Sequence, residues 1–476
     1  MLLSQKNITM PTSFLKYILL SLSISLVLFS CDEEEPEPQT EEATINNWIY
    51  DVMEEVYFWT DELPTNANYD QDPSVFFESL IFSDDRFSVI VPDYNQLINS
   101  LNGITLEAGY EFVLSAVQNS DDVIAIITYV KANSPAATAS LRRGDIITHI
   151  NGQLLTQNNF QLLLGEISDE HSIRYRRYNP ETDQFDQQAG ITLSVIQLSE
   201  DPIFLDSVYT IGSNKIGYLV YNFFSNGDGS NFDAQVRDVF GKFKSENITD
   251  LVLDLRYNSG GSINSATNLA SLIAPGVTNN DVFYLNQWND LYQNFWENDE
   301  NGESQLKGFF FNVDNSVGNQ ISSKVYILTG SRTASASELM INGLDAYMDV
   351  TIIGGQTVGK NVGSIPIEDT DNAENDYGML PIVIKIANKD GFSDYGDGFI
   401  PLGNNDINEF NTVPLLPFGQ VEDPLLARAI ELITGAPTSA KRTAGSLAYL
   451  PTEVLGHSTD RHIRSNRMIL ESDIQR

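Results

Sequence analysis

The sequence predicts a multidomain α+β and α/β protein in which a small helical region is followed by a β-rich region and then by an α/β region. The chain has 476 residues, which is more than a single hydrophobic core usually serves. Its apolar pattern changes near residue 96 from helical spacing to short alternating strands, and beyond residue 200 to continuous apolar runs. The composition is 42% hydrophobic, typical of globular proteins, and the formal net charge of −38 would repel a phosphate backbone. We therefore expect no nucleic-acid partner.

The first 30 residues have the pattern of a secretory signal peptide. Lys16 precedes an apolar run, Tyr17 to Phe29, which as a helix would be about 20 Å long and too short for a bilayer core of about 30 Å. The run ends in LFSC, and Cys31 is the only cysteine of the chain. This ending resembles the bacterial lipobox, in which the cysteine is lipidated and becomes the new N-terminus. The acidic, proline-containing residues 31–43 are typical of a tether that builds no core.

The lipobox resemblance implies a lipoprotein of the cell envelope, anchored to a membrane through Cys31. Acidic residues directly after such a cysteine resemble a surface-export signal of some Gram-negative lipoproteins. We therefore expect the outer membrane, with the chain facing either the periplasm or the outside. A buried free cysteine is the alternative. Because there is no second cysteine, no intramolecular disulfide is expected.

Residues 44–95 are predicted to form a small helical N-terminal domain. Trp48, Val52, Val56 and Trp59 recur near helical spacing, and Pro64 closes the pattern. This aromatic stripe is interpreted as core, with a binding surface as the alternative.

Residues 96–198 are predicted to form a β-rich domain. Within the stretch SPAATASLRRGDIITHINGQ, a Gly144-Asp145 turn precedes an apolar strand and an Asn151-Gly152 turn of the hairpin type. The stretch resembles a PDZ domain, which implies capture of peptide C-termini as an added strand whose carboxylate is held by backbone amides. The matching loop consists of Gly109, Tyr110, Glu111 and Phe112. An inert β-rich spacer is the alternative.

Residues 199–436 are predicted to form the α/β domain. The continuous apolar runs Asp250–Leu255, Lys324–Gly330 and Val350–Gly355 suit strands covered on both faces, and helical patterns follow the first two. This order predicts strand, crossover helix and parallel strand. Residues 437–476 show no clear periodicity and are expected to form a loosely attached tail.

Three motifs of the α/β domain could carry chemistry. In DLRYNSGGSINSA, Gly260 and Gly261 let backbone amides approach a bound oxygen. In TASASELM, Thr333 or Ser335 can cap a helix. In GGQTVGKNVGS, Lys360 lies between glycines just after a strand. Each has an ordinary explanation alone, as a turn, a helix cap and a solvated loop charge.

Together, in order and spacing, the motifs resemble the carboxyl-terminal processing proteases, also called tail-specific proteases. That family joins a PDZ domain to a serine protease core of the crotonase and ClpP type, and its signature places a lysine 25 residues after the nucleophile of an SASASE-like string. Lys360 lies 25 residues after Ser335 (360 − 335), so Ser331 and Ser337 are out of register. The resemblance also covers KIGYLVYNFF and DGFIP.

The resemblance implies a serine endopeptidase in which Ser335 attacks a peptide carbonyl and Lys360 is the base. The oxyanion would be held by the amide of Ala336 with that of Gly260 or Gly261. Burial would have to lower the lysine pKa, since an exposed lysine is almost fully protonated at pH 7. The family often has a lysine-orienting glutamine four residues after the lysine. Here Ser364 stands at that position, and Asn361 is a possible substitute.

No cofactor or metal is expected, because the sequence lacks clustered Cys and His ligands and the dinucleotide fingerprint. The four histidines all lie more than a hundred residues from the serine motif. The expected partners are protein or peptide substrates, bound through their C-termini. Two alternatives stay open. One is a catalytically silent ligand- or peptide-binding lipoprotein on the same fold, as in the retinoid-binding proteins of the eye, and the other is a PDZ adaptor.

Overall fold

The structure is a computed structural model that describes residues 40–411, 414–437 and 451–471, with side chains from residue 453 onward in the last range. The predicted signal peptide, Cys31 and most of the acidic tether lie outside the described residues. Within the described ranges, no helix is both long and apolar enough to cross a bilayer.

The N-terminal region is helical and shares its core with the α/β region. Its elements are α1 (Glu41–Val56), α2 (Pro73–Leu80), β1 (Val89–Val91) and α3 (Tyr94–Leu101). Trp48, Val52 and Val56 are buried in the hydrophobic cluster that also holds the strands and helices of the α/β region. The first helix ends well before Pro64. The aromatic stripe is therefore core rather than a binding surface.

The β-rich region has a hydrophobic core of its own. Its elements are β2 (Ile104–Glu107), β3 (Tyr110–Val117), β4 (Val123–Val130), α4 (Pro135–Thr138), β5 (Ile146–Ile150), β6 (Gln153–Leu154), α5 (Phe160–Gly165), β7 (His171–Asn179), β8 (Gln184–Gln187), β9 (Ile191–Leu193) and β10 (Ile196–Ser199). The predicted hairpin is present between β5 and β6, and its turn residues Asn151 and Gly152 have φ values of 48° and 79°.

The α/β region is built on a five-stranded and a six-stranded sheet, and two of its short strands, Ile367–Glu368 and Gly378–Leu380, join β1 in a third sheet. Its elements before the C-terminal residues are β11 (Ile203–Ile211), β12 (Asn214–Tyr221), α6 (Phe232–Glu246), β13 (Asp250–Asp254), β14 (Gly260–Ser262), α7 (Ile263–Ile273), β15 (Val282–Trp288), α8 (Asp290–Asn298), α9 (Glu303–Leu306), β16 (Lys307–Phe309), β17 (Lys324–Thr329), α10 (Ala336–Asp345), β18 (Asp349–Gly354), β19 (Val362–Ser364), β20 (Ile367–Glu368), β21 (Gly378–Leu380), β22 (Ile382–Asn388) and α11 (Pro424–Thr434).

The first sheet has the strand order β11-β12-β13-β17-β18 and is parallel from β12 to β18. This confirms the three predicted strands and the predicted crossover order. Helices α7 and α10 follow β13 and β17 and pack against each other, so both strands deliver the chain to the same region of the molecule.

The C-terminal residues form two further strands, β23 (Pro451–His457) and β24 (Arg467–Ile469). The second sheet has the order β14-β24-β19-β22-β15-β16, which places β24 inside it, and β23 pairs with β3 of the β-rich region. The expectation of a loosely attached tail is wrong for residues 451–471. A strand of three residues is too short to show a period, yet Met468 and its apolar neighbours Ile469 and Leu470 are buried.

Candidate active site

Ser335 lies at the turn from β17 into α10, where it is the N-cap residue with φ 58° and ψ −117°. A positive φ is unfavourable for a residue with a Cβ, so this turn stores strain of the kind found at functional sites. The side chain is fully buried, and its Oγ has no hydrogen-bond partner in the part of the chain that the structure describes. A Cβ added to Gly260 would lie 2.5 Å from the Ser335 Cβ, so only glycine at position 260 permits this approach.

The neighbouring hydroxyls are all engaged. Ser337 Oγ donates to the Asn258 carbonyl at 3.0 Å. Thr333 Oγ1 donates to the Leu255 carbonyl at 2.8 Å, so it is not the helix cap. Ser331 Oγ lies 3.3 Å from Nε2 of His457, a histidine distant in sequence. Among these side chains only the Ser335 hydroxyl is left available for chemistry.

Glu338, which the sequence analysis did not single out, ties the serine turn to the lysine loop. Its Oε2 accepts the backbone amides of Ser335 and Lys360, each at 2.8 Å. Its Oε1 accepts the Gly359 amide and the Thr357 hydroxyl, each at 2.6 Å. Burial raises the pKa of this carboxyl, and the four donors oppose that rise. The signal in the sequence was the capping-box spacing from Ser335 to Glu338.

Lys360 is completely buried, and its Nζ lies 4.8 Å from the centre of the Phe87 ring. Burial holds its pKa well below the usual value, and the charge of Arg467 acts in the same direction, while Asp85 and Glu338 oppose both. A lysine in this setting favours the neutral amine, the form that accepts a proton from a hydroxyl.

The lysine amine is held by a residue that the sequence analysis missed. Lys360 Nζ donates to the backbone carbonyl of Asn466 at 2.8 Å. The predicted orienting residues are not its partners in this arrangement: Asn361 directs its amide nitrogen to the Ser393 carbonyl at 2.6 Å, and Ser364 Oγ, although buried, has no partner among the described residues. A backbone carbonyl carries no side-chain signature, so no motif could indicate it.

The predicted oxyanion donors lie around Ser335, but one of them is engaged. Ala336 is the first residue of α10, where a backbone amide has no intrahelical acceptor. The Gly260 amide donates to Asn258 Oδ1 at 2.9 Å, which removes it as a donor in this arrangement and leaves Gly261 as the glycine candidate. A cavity of about 220 Å³ opens beside both glycines and offers room for a side chain of a bound peptide.

The predicted carboxylate loop is mostly strand. Gly109 has φ +85°, but Tyr110, Glu111 and Phe112 begin β3, and all three are buried. The Glu111 carboxylate lies 2.8 Å from Lys131 Nζ. The Phe112 amide donates to Ser458 Oγ of the C-terminal residues at 2.7 Å. The amide expected to bind a peptide end is thus engaged by the chain itself.

Three models of known families match parts of the chain. The model of peptidase family S41 matches residues 215–380, which contain β14, Ser335 and Lys360, and that of the peptidase S41 N-terminal domain matches residues 44–89. Residues 215–380 are thus similar to the peptidase domain of family S41. A PDZ domain model matches residues 126–164. The predicted order of a small N-terminal domain, a PDZ domain and a protease core is confirmed.

The individual proteins to which the chain is similar have low sequence identity to it. The chain is 24% identical over 306 residues to the "Probable CtpA-like serine protease" of Staphylococcus aureus, and the aligned part covers 63% of this chain and 54% of that protein. The protein of the same name in Staphylococcus epidermidis is 24% identical over 307 residues. The chain thus spans about half the length of the curated relatives it matches. A solved Bacteroides fragilis protein assigned to the S41 proteases is 26% identical, with a TM-score of 0.67, covering 82% of this chain and 97% of that one.

Proposed function

We propose that this chain is a serine endopeptidase of the C-terminal processing type, with Ser335 as nucleophile and Lys360 as general base. One observation carries the proposal: a single buried carboxylate, Glu338, accepts the backbone amides of both residues and so fixes a strained serine and a buried lysine in one site. The unpartnered Ser335 hydroxyl and the lowered Lys360 pKa give the two groups the properties that their roles require.

In the proposed reaction, Ser335 Oγ bonds to the carbonyl carbon of a peptide bond and its proton passes to Lys360 Nζ. The amides of Ala336 and Gly261 would stabilise the oxyanion of the tetrahedral intermediate. The lysine then returns the proton to the leaving amine, and water hydrolyses the acyl-serine ester by the same route. No cofactor takes part. The Asn466 carbonyl accepts one N–H of the lysine amine, which leaves the lone pair of the neutral amine available for the serine proton.

We also infer that the PDZ domain captures protein or peptide substrates. The edge of β3 accepts an added strand, since it already pairs with β23. Substrates with a free C-terminus are proposed to bind best, and an amidated peptide of the same sequence should be cleaved more slowly.

The activity is tested by substitutions within the serine motif. Ser335→Ala and Lys360→Ala are each expected to lower kcat/KM on a fluorogenic peptide by about 10³-fold or more, because the two groups act as one unit. Ser337→Ala should stay within about tenfold of the wild type, since its hydroxyl only bonds the Asn258 carbonyl. A fluorophosphonate probe should label the wild type and the Ser337 variant but not the Ser335 variant. Loss of labelling in Ser337→Ala alone would contradict the assignment. No labelling of the wild type, either intact or after cleavage between residues 437 and 451, would favour the silent ligand-binding alternative.

We further propose that Cys31 carries a lipid that anchors the chain in the cell envelope, at the outer membrane of a Gram-negative bacterium. The LFSC sequence and the acidic residues after it support this. Mass spectrometry of the N-terminal peptide from cells should find a lipid-modified Cys31, and Cys31→Ser should release the chain from membranes or leave the precursor uncut. An unmodified Cys31 thiol in the mature protein would contradict the anchor.

A further inference from the structure

Residues 451–471, named here the C-terminal segment, run from the PDZ domain to the reaction centre. At its start, β23 pairs antiparallel with β3, with Pro451 opposite Val117 and His457 opposite Val113. PDZ domains bind a peptide by adding it as a strand at a sheet edge. The segment therefore occupies the edge on which we expect a peptide to bind.

Polar contacts hold the middle of the segment. Ser458 Oγ accepts the Phe112 amide at 2.7 Å, and His462 Nε2 lies 2.8 Å from Glu111 Oε1. Asp460 forms an ion pair with Arg332, in the loop before Ser335, at 2.6 Å. These contacts join the segment both to the PDZ domain and to the serine loop.

At its end, the segment covers the candidate nucleophile and holds the candidate base. Asn466 accepts the hydrogen bond of Lys360 Nζ through its carbonyl at 2.8 Å. The carbonyl oxygen of the next residue, Arg467, lies beside the serine, because a Cβ on Gly260 would be 2.4 Å from that oxygen and 2.5 Å from the Ser335 Cβ. The backbone of the segment thus passes where a substrate carbonyl has to lie.

Strand β24 of the segment lies between β14 and β19 and pairs with both. Gly260 is opposite Arg467, and Ser364 is opposite Ile469. Neighbouring strands lie about 4.8 Å apart, so β14 and β19 are about 9.6 Å apart and would both be unpaired edges without it. Two facing edges with open backbone donors and acceptors are a template for one extended peptide.

We propose that the C-terminal segment is an intramolecular competitor that occupies the path of an extended peptide substrate, from the β3 edge to Ser335, and holds the chain in a resting state. Binding of a peptide along this path depends only on the two sheet edges. That the bound peptide is a substrate rests on the proposed peptidase function. Because Met468 and Ile469 of the segment are buried, the occupied state is strongly favoured until the segment is cut away or a substrate with high affinity displaces it.

The first experiment releases the segment from the complete, folded chain. A recognition sequence for a site-specific endopeptidase replaces residues 441–447, between α11 and β23, and the purified protein is cut there. After dilution and gel filtration, the cut protein should hydrolyse a fluorogenic peptide at least tenfold faster, because the competitor is no longer tethered. A synthetic peptide of residues 451–471 should suppress the gained activity with saturation, and a scrambled peptide of the same composition should not.

Two results would overturn the proposal. One is an unchanged rate after mass spectrometry has shown that the segment has left. The other is a loss of activity that the synthetic peptide restores, since the segment would then complete the site rather than block it.

The second experiment weakens the segment's contacts in the intact chain. Asp460→Asn removes the ion pair with Arg332, and Ser458→Ala removes the acceptor of the Phe112 amide. Each should raise the basal kcat/KM several-fold. The matched control is Glu303→Gln, which breaks an exposed ion pair with Lys307 at 2.8 Å and should leave the rate unchanged. A lower rate in both segment variants would count against the competitor role.

A binding measurement separates failure of this proposal from failure of the proposed function. In the cut protein carrying Ser335→Ala, a fluorescent 451–471 peptide should bind and should be displaced by the fluorogenic peptide, whether or not any form of the protein hydrolyses it. Displacement without hydrolysis in any form would support the shared path and overturn the peptidase assignment. Simultaneous binding of both peptides would overturn the shared path.

Discussion

At the scale of single residues, the candidate site depends on one carboxylate that does no chemistry itself. Glu338 is fully buried and accepts hydrogen bonds from the serine turn and the lysine loop, which belong to different strand ends. Each of its oxygens has two donors, so the carboxylate leaves no lone pair directed at the substrate. Glu338 is thus a positioning residue.

Glu338→Gln tests that role. An amide nitrogen cannot accept a hydrogen bond, so one or two buried donors lose their partner, at about 1–3 kcal/mol each. We expect a lower free energy of unfolding by about that amount, and kcat on the fluorogenic peptide lower by about 10²-fold with little change in KM, because the Ser335 turn loses its fixed geometry. Glu303→Gln on α9 is the control and should change neither. Wild-type kcat in Glu338→Gln would show that the carboxylate does not position the serine.

Lys360 gives a prediction about pH and stability. Burial holds its pKa well below the usual value in the folded chain, whereas the unfolded chain titrates near about 10.4. Between these pH values the unfolded state binds a proton that the folded state does not, so raising the pH through this window stabilises the fold by about 1.4 kcal/mol per pH unit. Lys360→Met should lack this rise in urea unfolding series. Parallel curves for the two proteins would show that Lys360 has an ordinary pKa.

At the scale of elements, the sequence predicted those whose hydrophobic pattern extends over several residues. The strands β13 and β17 are continuous apolar runs, and their burial on both faces matches the parallel sheet that was predicted. The hairpin at Asn151-Gly152 was predictable from turn chemistry, since both residues need a positive φ.

The elements and contacts that the sequence did not predict are made by backbone atoms. Strand β24 has three residues, and its neighbour Asn466 holds Lys360 by a carbonyl that every residue type has. Likewise, the Gly260 amide was a plausible oxyanion donor in the sequence, but Asn258 two residues earlier takes it. The spacing from Ser335 to Lys360 was visible in the sequence, whereas the residue that holds the lysine amine, Asn466, lies 106 positions beyond Lys360.

At the scale of the whole molecule, a buried ionic network joins the PDZ domain to the protease core. Arg143 of the PDZ domain pairs with Glu409 at 2.6 Å and bonds the Tyr257 hydroxyl at 2.7 Å. Arg256, which follows β13 in the DLRYNSGG motif, pairs with Glu409 at 2.9 Å and with Asp423, the N-cap residue of α11. Burial alone would raise the pKa of Glu409, but Arg143 and Arg256 lower it to about 2. The network therefore stays charged and fixes the PDZ domain beside the site.

Arg143→Met tests how much the molecule depends on this network. Removing one partner leaves buried carboxylate charge with less compensation, which costs about 3–5 kcal/mol when an ion pair is broken in this way. Urea unfolding followed by tryptophan fluorescence should show a loss of that size, together with slower cleavage of peptides that engage the PDZ domain. The control is Lys307→Met, which removes an exposed i,i+4 pair with Glu303 and should cost about 0.3–0.5 kcal/mol. Equal small losses in both variants would show that the domains are held together by apolar packing instead, such as the stacking of Tyr129 of the PDZ domain on Tyr257.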